Sequence, residues 1–463
     1  MVKMLNLVKN EYIKTMKKIS TKIIFILVII FAVGLVGIAK VAEKVNEGYM
    51  AEYGETASDP DYSYAINNAE EMKYDGYEYD VEHYNYLQKY NIHYTSWRYE
   101  AAELMFSYEI DENGVFSYTY PDDVRAEMES YISSNDWKSY CKSMIKTMKD
   151  AGMDEAGYWE YEYRLEHDIP LPNDYIELTQ WQNEQIKIAS GAKQFLADYD
   201  ETAATSDQIT EKANQENALT LALYRLENNI ETNVADSSNI LYSEEINYWS
   251  VFGTSTSLIS VIGLLIIIIT GSAVSNEFSN GTIKFLLINP VKRWKILVSK
   301  YIMSITLGYI MIFLLYVLSA VLTMLFFGTS NLGADYLEVV DGAVKSTNGF
   351  AYILRNYMLS SVQVVVMATL AFAISSLVRS SSLAIGVSLF AMLSGNTLVM
   401  ILKQALHQDW ARYLIFANTD LEAVANGLTG FSHHSMLFAV SVIAVHMFVF
   451  LLTAWDGFTR REV

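Results

Sequence analysis

The sequence has one cysteine, Cys141, in 463 residues. A lone thiol excludes an intramolecular disulfide and any thiolate cluster for zinc or iron–sulfur. Positive charge is also scarce: 33 Lys and Arg stand against 53 Asp and Glu, a formal net charge of −20 and a pI of about 4.8. A nucleic-acid-binding face needs a basic footprint, so no nucleic-acid partner is expected. No G-x-x-x-x-G-K-[ST] loop is present, so a nucleoside triphosphate has no cradle of that kind. H-E-x-x-H, G-x-S-x-G and paired intramembrane Asp are absent as well, which removes the common signatures of an intramembrane hydrolase. His433-His434 has no Cys or carboxylate within four residues, so it is not read as a metal centre. Disorder is excluded too, because 52% of the residues are hydrophobic and supply ample core.

What is present is segregated. Residues 43–250 hold 43 acidic and 14 basic residues, whereas the rest of the chain holds 10 and 19. Tyrosine follows the same division, with 25 of 33 between Tyr49 and Tyr248. The flanks carry six uncharged apolar runs: Ile23–Ala39, Phe252–Val274, Ile302–Phe327, Leu359–Val378, Leu383–Leu402 and Met436–Ala454. A run of roughly 20 apolar residues spans the hydrocarbon core as a helix. The expected fold class is an all-α membrane protein with six transmembrane helices. A large, mostly α-helical extracellular domain lies between helices 1 and 2. The expected boundaries are 1–42 for an interfacial helix and the first span, 43–248 for the acidic domain, and 249–463 for the other five spans.

Orientation follows from lysine and arginine, which cytoplasmic loops retain. With the amino terminus inside, 14 basic residues fall on the cytoplasmic side and five outside the acidic block fall on the other. Both termini are therefore expected in the cytoplasm of a multi-pass cell-membrane protein. A cleaved signal ending at Gly37-Ile38-Ala39 is the alternative for the first run. It would leave five spans, and the 17-residue apolar stretch is long for a signal. Met4, Leu5, Val8, Tyr12 and Ile13 recur at helical spacing, with Lys3, Lys9, Lys14 and Lys17 elsewhere. That pattern suits an interfacial helix on anionic lipid.

Within the acidic block, Ala213–Asn229 and Asp122–Met148 read as helices, the second starting after Pro121. Val115–Tyr120, after the turn residues Asp111–Gly114, is the only strand-like patch. Three segments share a pattern: Tyr86–Ile92, Tyr163–Ile169 and Tyr224–Ile230. Each is read as a helix carboxyl-terminal stop latched by the isoleucine, with descent from a repeated helical unit as the alternative. Their uneven spacing excludes a solenoid.

The most specific stretch follows the second run. Glu277 ends a membrane helix, Gly281 permits a tight reversal, and Thr282 caps a short helix over 283–288. Pro290 stops that helix, and Lys292, Arg293 and Lys295 open the next span at the interface. The expected product is a short amphipathic helix lying along the membrane, able to dock in another protein's cleft.

In the order of Glu277, Gly281, Thr282, Leu286, Leu287, Pro290, Arg293 and Lys300, this stretch resembles the permease subunits of type 2 ABC exporters. The likeness is close over 270–301 and looser across all six spans and the tail Asp456–Arg461. Tyr224–Ile230 and Tyr248-Trp249 look like the Gram-positive members with a large outer domain. The resemblance implies that residues 276–296 form a coupling helix contacting a separate ATP-binding subunit, with Lys284 among the contacting residues. ATP and magnesium would sit on that partner, with no cofactor on this chain and no enzyme activity of its own. A second permease copy or a sister permease would complete the assembly in the bilayer. The exported substrate (peptide, drug, lipid-like compound or ion) is not legible.

Polar groups inside spans are costly and mark candidate positions on a translocation path: Gln363, Asn396 and His446. Helix–helix hydrogen bonding is the alternative for each. The alternative function is a membrane-anchored receptor or sensor that binds a peptide through its outer domain.

Overall fold

The computed structural model describes residues 2–58, 61–110, 115–200, 206–237, 246–279, 281, 291–329, 331–378, 380–406, 408–425, 431 and 434–460. The chain is mostly helical and divides into two compact units. One takes residues 1–43, 234–336 and 347–463; the other takes 44–233 together with 337–346.

Among the described residues the first unit contains six helices long and apolar enough to cross a membrane: Ile19–Val45, Tyr248–Ser279, Arg293–Phe327, Gly349–Leu377, Ser381–Lys403 and Met436–Thr459. In hydrocarbon each backbone polar group must be satisfied internally, which is why these runs are helical. The second and fourth spans are the most buried and form the centre of the bundle. Ile262, Ile266, Leu307, Met311, Val364 and Ala368 interlock there. Gly271 brings the second span against the fifth, since a Cβ at that position would lie 2.9 Å from the Ile385 side chain and 3.3 Å from its backbone nitrogen. Phe390, Leu393, Leu325 and Phe448 stay exposed, as a lipid-facing surface requires.

The segment after the fifth span folds back onto the bundle. Ile415, Leu421 and Val424 join a cluster with Ile267, Val366 and Ile443, and Phe416 closes over Gly395, where a Cβ would sit 2.3 Å from its ring. Tyr248 and Trp249 are both buried, and the Trp249 indole N–H donates to Asn331 O at 2.8 Å.

Between residues 44 and 233 the acidic unit is, among the described residues, a set of helices with one small hairpin. Tyr108–Ile110 pairs antiparallel with Phe116–Tyr118, so the strand-like patch is realised; the turn residues 111–114 lie outside the described residues. The expected single helix Asp122–Met148 is two, Asp122–Ser134 and Trp137–Asp150. Asn135 takes a left-handed conformation at φ 52°, and Asp136 caps the second helix by accepting from Ser139 N–H at 3.1 Å. Polar side chains that bond their own backbone outcompeted continuation of the helix. The helix expected over Ala213–Asn229 runs Ser206–Glu227.

The three echoed segments are one structural device. Asn91, Asp168 and Asn229 all have positive φ. The next residue's N–H then reaches back five positions: Ile92 to Leu87 O at 2.9 Å, Ile169 to Arg164 O at 3.0 Å, and Ile230 to Arg225 O at 2.9 Å. This is the six-to-one bond of a Schellman stop, which satisfies a terminal carbonyl. In two of the three the arginine closes the loop as well. Buried Arg164 donates to Pro170 O at 2.9 Å, and buried Arg225 to Glu231 O at 2.6 Å.

A further hairpin, which the sequence reading did not include, pairs Asp335–Val340 with Ala343–Asn348. Its turn is Asp341-Gly342, both at positive φ, the Asp-Gly signature of a type I′ connection.

Candidate functional site

The second span does not run straight to its end. Its helix stops at Ala273, and a separate turn, Ser275–Ser279, follows Val274. Breaking a membrane helix frees backbone N–H groups that lipid cannot satisfy. Ser375 of the fourth span supplies the partner: its hydroxyl oxygen accepts from Val274 N–H at 3.3 Å and Ser275 N–H at 3.0 Å. Ser275 Oγ donates to Gly271 O at 2.8 Å, and Ser381 Oγ donates to Asn276 Oδ1 at 2.6 Å. Three spans thereby hold the broken end in one orientation.

That orientation points Glu277 inward, where it is 5% exposed. Glu277 Oε1 lies 3.2 Å from Lys300 Nζ and also contacts the Lys14 ammonium. Lys300 is itself 2% exposed and donates to Glu11 Oε2 at 2.9 Å. Two cations and two carboxylates thus neutralise one another where the amino-terminal helix (Val2–Met16), the broken end of the second span and the start of the third meet. Glu11, Lys14 and Thr15 lie at i, i+3 and i+4, on one helix face, and Thr15 is buried with them. The inward face therefore carries polar groups beside Tyr12, which packs against the bundle core, while Met4 and Val8 of the expected apolar stripe are half-buried and Leu5 and Ile13 are exposed. Helix periodicity alone did not reveal that this face was matched to a buried ion pair elsewhere.

A cavity of about 370 Å³ opens beside this cluster, reached by Lys18, Ser20 and Thr21 as well as by the four charged groups. Partial desolvation, then the neighbouring Lys14 and Lys300, hold the Lys18 ammonium below the usual lysine range.

Of the residues expected to contact an ATP-binding subunit, Glu277 and Lys300 come together here. Gly281 follows at φ 67° with nothing within 4 Å of a Cβ, so at this position backbone strain is what disfavours other residues. Arg293 opens the third span. Thr282, Lys284, Leu286, Leu287 and Pro290 lie outside the described residues. Glu11 and Lys14 were not singled out from sequence; the Glu-x-x-Lys spacing ahead of the first span was the available signal.

The residues expected on a translocation path are not brought to one place. Gln363 lines a second cavity of about 290 Å³ with Thr254, Ser257, Ser260, Asp420 and Glu422. Glu422 accepts from Ser360 Oγ at 3.1 Å, and burial raises its carboxyl above the usual range. Asn396 is on an exposed face of the fifth span. His446 is half-buried and its Nδ1 donates to Val442 O of its own helix at 2.9 Å.

Residues 218–463, the part carrying spans two to six, match the family described as "Protein of unknown function (DUF2705)". The chain belongs to that family. Two Bacillus subtilis (strain 168) relatives of this DUF2705 member are similar over comparable lengths. The uncharacterized protein YhcI is 34% identical over 247 residues, 53% of this chain and 75% of the relative. The uncharacterized membrane protein YdbK is 32% identical over 218 residues, 47% of this chain and 84% of the relative. No solved structure matches the DUF2705 chain.

Proposed function

We propose that this DUF2705 protein is the membrane subunit of an ATP-driven exporter of the type 2 ABC kind, with the ATPase on a separate chain. The observation that carries the reading is the break at Val274. It places Glu277 in a buried ion cluster immediately before Gly281 and the segment to Pro290. A rigid, charge-locked junction of three helices is what a lever needs. Movement imposed on 282–290 by a partner would be passed to the amino-terminal helix through Glu277 and Lys14, and to the third span through Lys300. In this reading both termini and the 276–296 segment are cytoplasmic, and the acidic unit is outside. The nucleotide and its magnesium belong to the partner. The permease pairs with itself or a sister chain, and Gln363, Asn396 and His446 are candidates to face the path.

The test is co-expression of the full chain with candidate ATP-binding-cassette subunits from its own genome and co-purification, followed by ATP hydrolysis in proteoliposomes. Gly281→Arg with Arg293→Glu should abolish assembly or stimulated hydrolysis. Unchanged assembly and hydrolysis in that variant, or no associated ATPase at all, would overturn the assignment. Specific retention of a peptide by the acidic unit without any ATPase would favour the receptor reading instead.

A further inference from the structure

The cavity beside the ion cluster is amphipathic. Lys14, Lys18, Asn276 and Ser381 line it together with Ile24, Ile268, Met303 and Ile385. The charges that line it do not cancel. Lys300 and Lys14 are committed to Glu11 and Glu277, whereas the Lys18 ammonium makes no ion pair or hydrogen bond among the described residues. With three ammonium groups against two carboxylates, the site keeps one uncompensated positive charge. The surface leading to it is apolar: Met16 and Ile19 flank Lys18, and Ile23 and Ile26 continue along the first span, all exposed.

From these observations we infer that the cavity binds the anionic phosphate headgroup of a membrane phospholipid, with an acyl chain against the isoleucine lining. A phosphate diester carries one negative charge and hydrogen-bond acceptors, matching the single free ammonium and the side-chain amide N–H of Asn276, whose Oδ1 is already held by Ser381. Its arrival would relieve the repulsion that Lys14 and Lys300 impose on Lys18. A fully hydrophilic anion would leave Ile24, Ile268 and Ile385 against water, whereas a lipid covers them. Nothing in this inference depends on ATP coupling, because binding is read on the chain by itself.

The experiment is native mass spectrometry of the full chain released from nanodiscs of equal phosphatidylglycerol and phosphatidylcholine. One phosphatidylglycerol should be retained over phosphatidylcholine by about fivefold, the worth of one lysine beside an anionic headgroup. Lys18→Gln should bring the ratio to parity with an unchanged melting temperature, and Lys17→Gln, outside the cavity, should leave it as in the parent. Ile268→Trp, which adds bulk to the apolar lining and keeps every charge, should lower retention. Equal retention in the parent chain, selectivity that survives Lys18→Gln, or retention indifferent to Ile268→Trp would overturn the site. Displacement of the lipid by millimolar inorganic phosphate would overturn the lipid as the source of the anion.

Discussion

Lys300 Nζ sits 2.9 Å from Glu11 Oε2 and 3.2 Å from Glu277 Oε1, so a single buried ammonium ties together residues 289 and 23 positions away in the chain. The cluster is stable as a set and costly in parts. Removing one partner of a buried ion pair leaves an uncompensated charge and costs about 3–5 kcal/mol. Lys300→Ala should therefore destabilise the protein by that order in detergent unfolding. Adding Glu11→Gln should restore more than half of the loss, because Glu11 is the carboxylate left without a cation, whereas Glu277 keeps Lys14. A double variant no more stable than Lys300→Ala would show that the charges are not coupled.

Legibility in the sequence tracked the range of the interaction concerned. The six spans are written locally, as runs of apolar residues, and each appears in the structure. The three helix stops are local too: in Tyr163–Ile169, a residue tolerant of left-handed backbone, Asp168, precedes an apolar latch. Asn135 carried the same information and was passed over because helix-forming residues surround it. Glu277 and Lys300 were read from residue order. Their partners Glu11 and Lys14 were not, since no periodicity links a face of the amino-terminal helix to a carboxylate more than 260 residues later. The Asp341-Gly342 hairpin is hard to read for another reason: its second strand, Ala343–Asn348, is largely polar and exposed, and its first, Asp335–Val340, buries only Leu337, so the turn was the strongest signal.

Gly281 isolates backbone strain from packing. At φ 67° a side chain meets nothing within 4 Å, so only the left-handed conformation resists substitution. That conformation costs roughly 1–2 kcal/mol for a residue with a Cβ, and least for Asn. Under the proposed exporter function, Gly281→Asn should assemble with an ATP-binding subunit much as the parent does. Gly281→Val should lose about tenfold in assembly affinity. Equal behaviour of Asn and Val would mean that the left-handed conformation is not kept in the complex.

His83 should make the acidic unit acid-labile. Its ring lies between Tyr84 and Phe106, with centroids at 5.6 and 5.3 Å. Its Nε2 has no hydrogen-bond partner among the described residues. Burial lowers its pKa to about 4, opposed by Asp80. An unfolded histidine titrates near 6.5, so between these values the unfolded chain binds the extra proton. Stability is then full above about pH 6.5 and falls as pH drops toward 4, by an order of 2–3 kcal/mol in total. Near-ultraviolet circular dichroism of full-length protein should show a melting point that declines across this window. His83→Phe should flatten the decline; an identical slope in that variant would remove His83 as the cause.

Cys141 offers a clean route to orientation, because it is the only native thiol and it is silent. It is fully buried between the helices of the acidic unit, and burial pushes its thiol up to about 12. The thiolate is the reactive form, so the parent chain in intact cells should resist a membrane-impermeant maleimide at neutral pH. Cysteines placed at exposed positions then report their side without background. Glu129→Cys, in the acidic unit, should label in intact cells, whereas Lys292→Cys, just before the third span, should label only after permeabilisation. Both positions are exposed in the structure, so failure to label reflects the membrane and not burial. The reverse pattern would put 14 lysines and arginines on the outer face against the charge rule. It would also place the 276–296 segment beyond the reach of any cytoplasmic ATPase, and the exporter reading would fall with it.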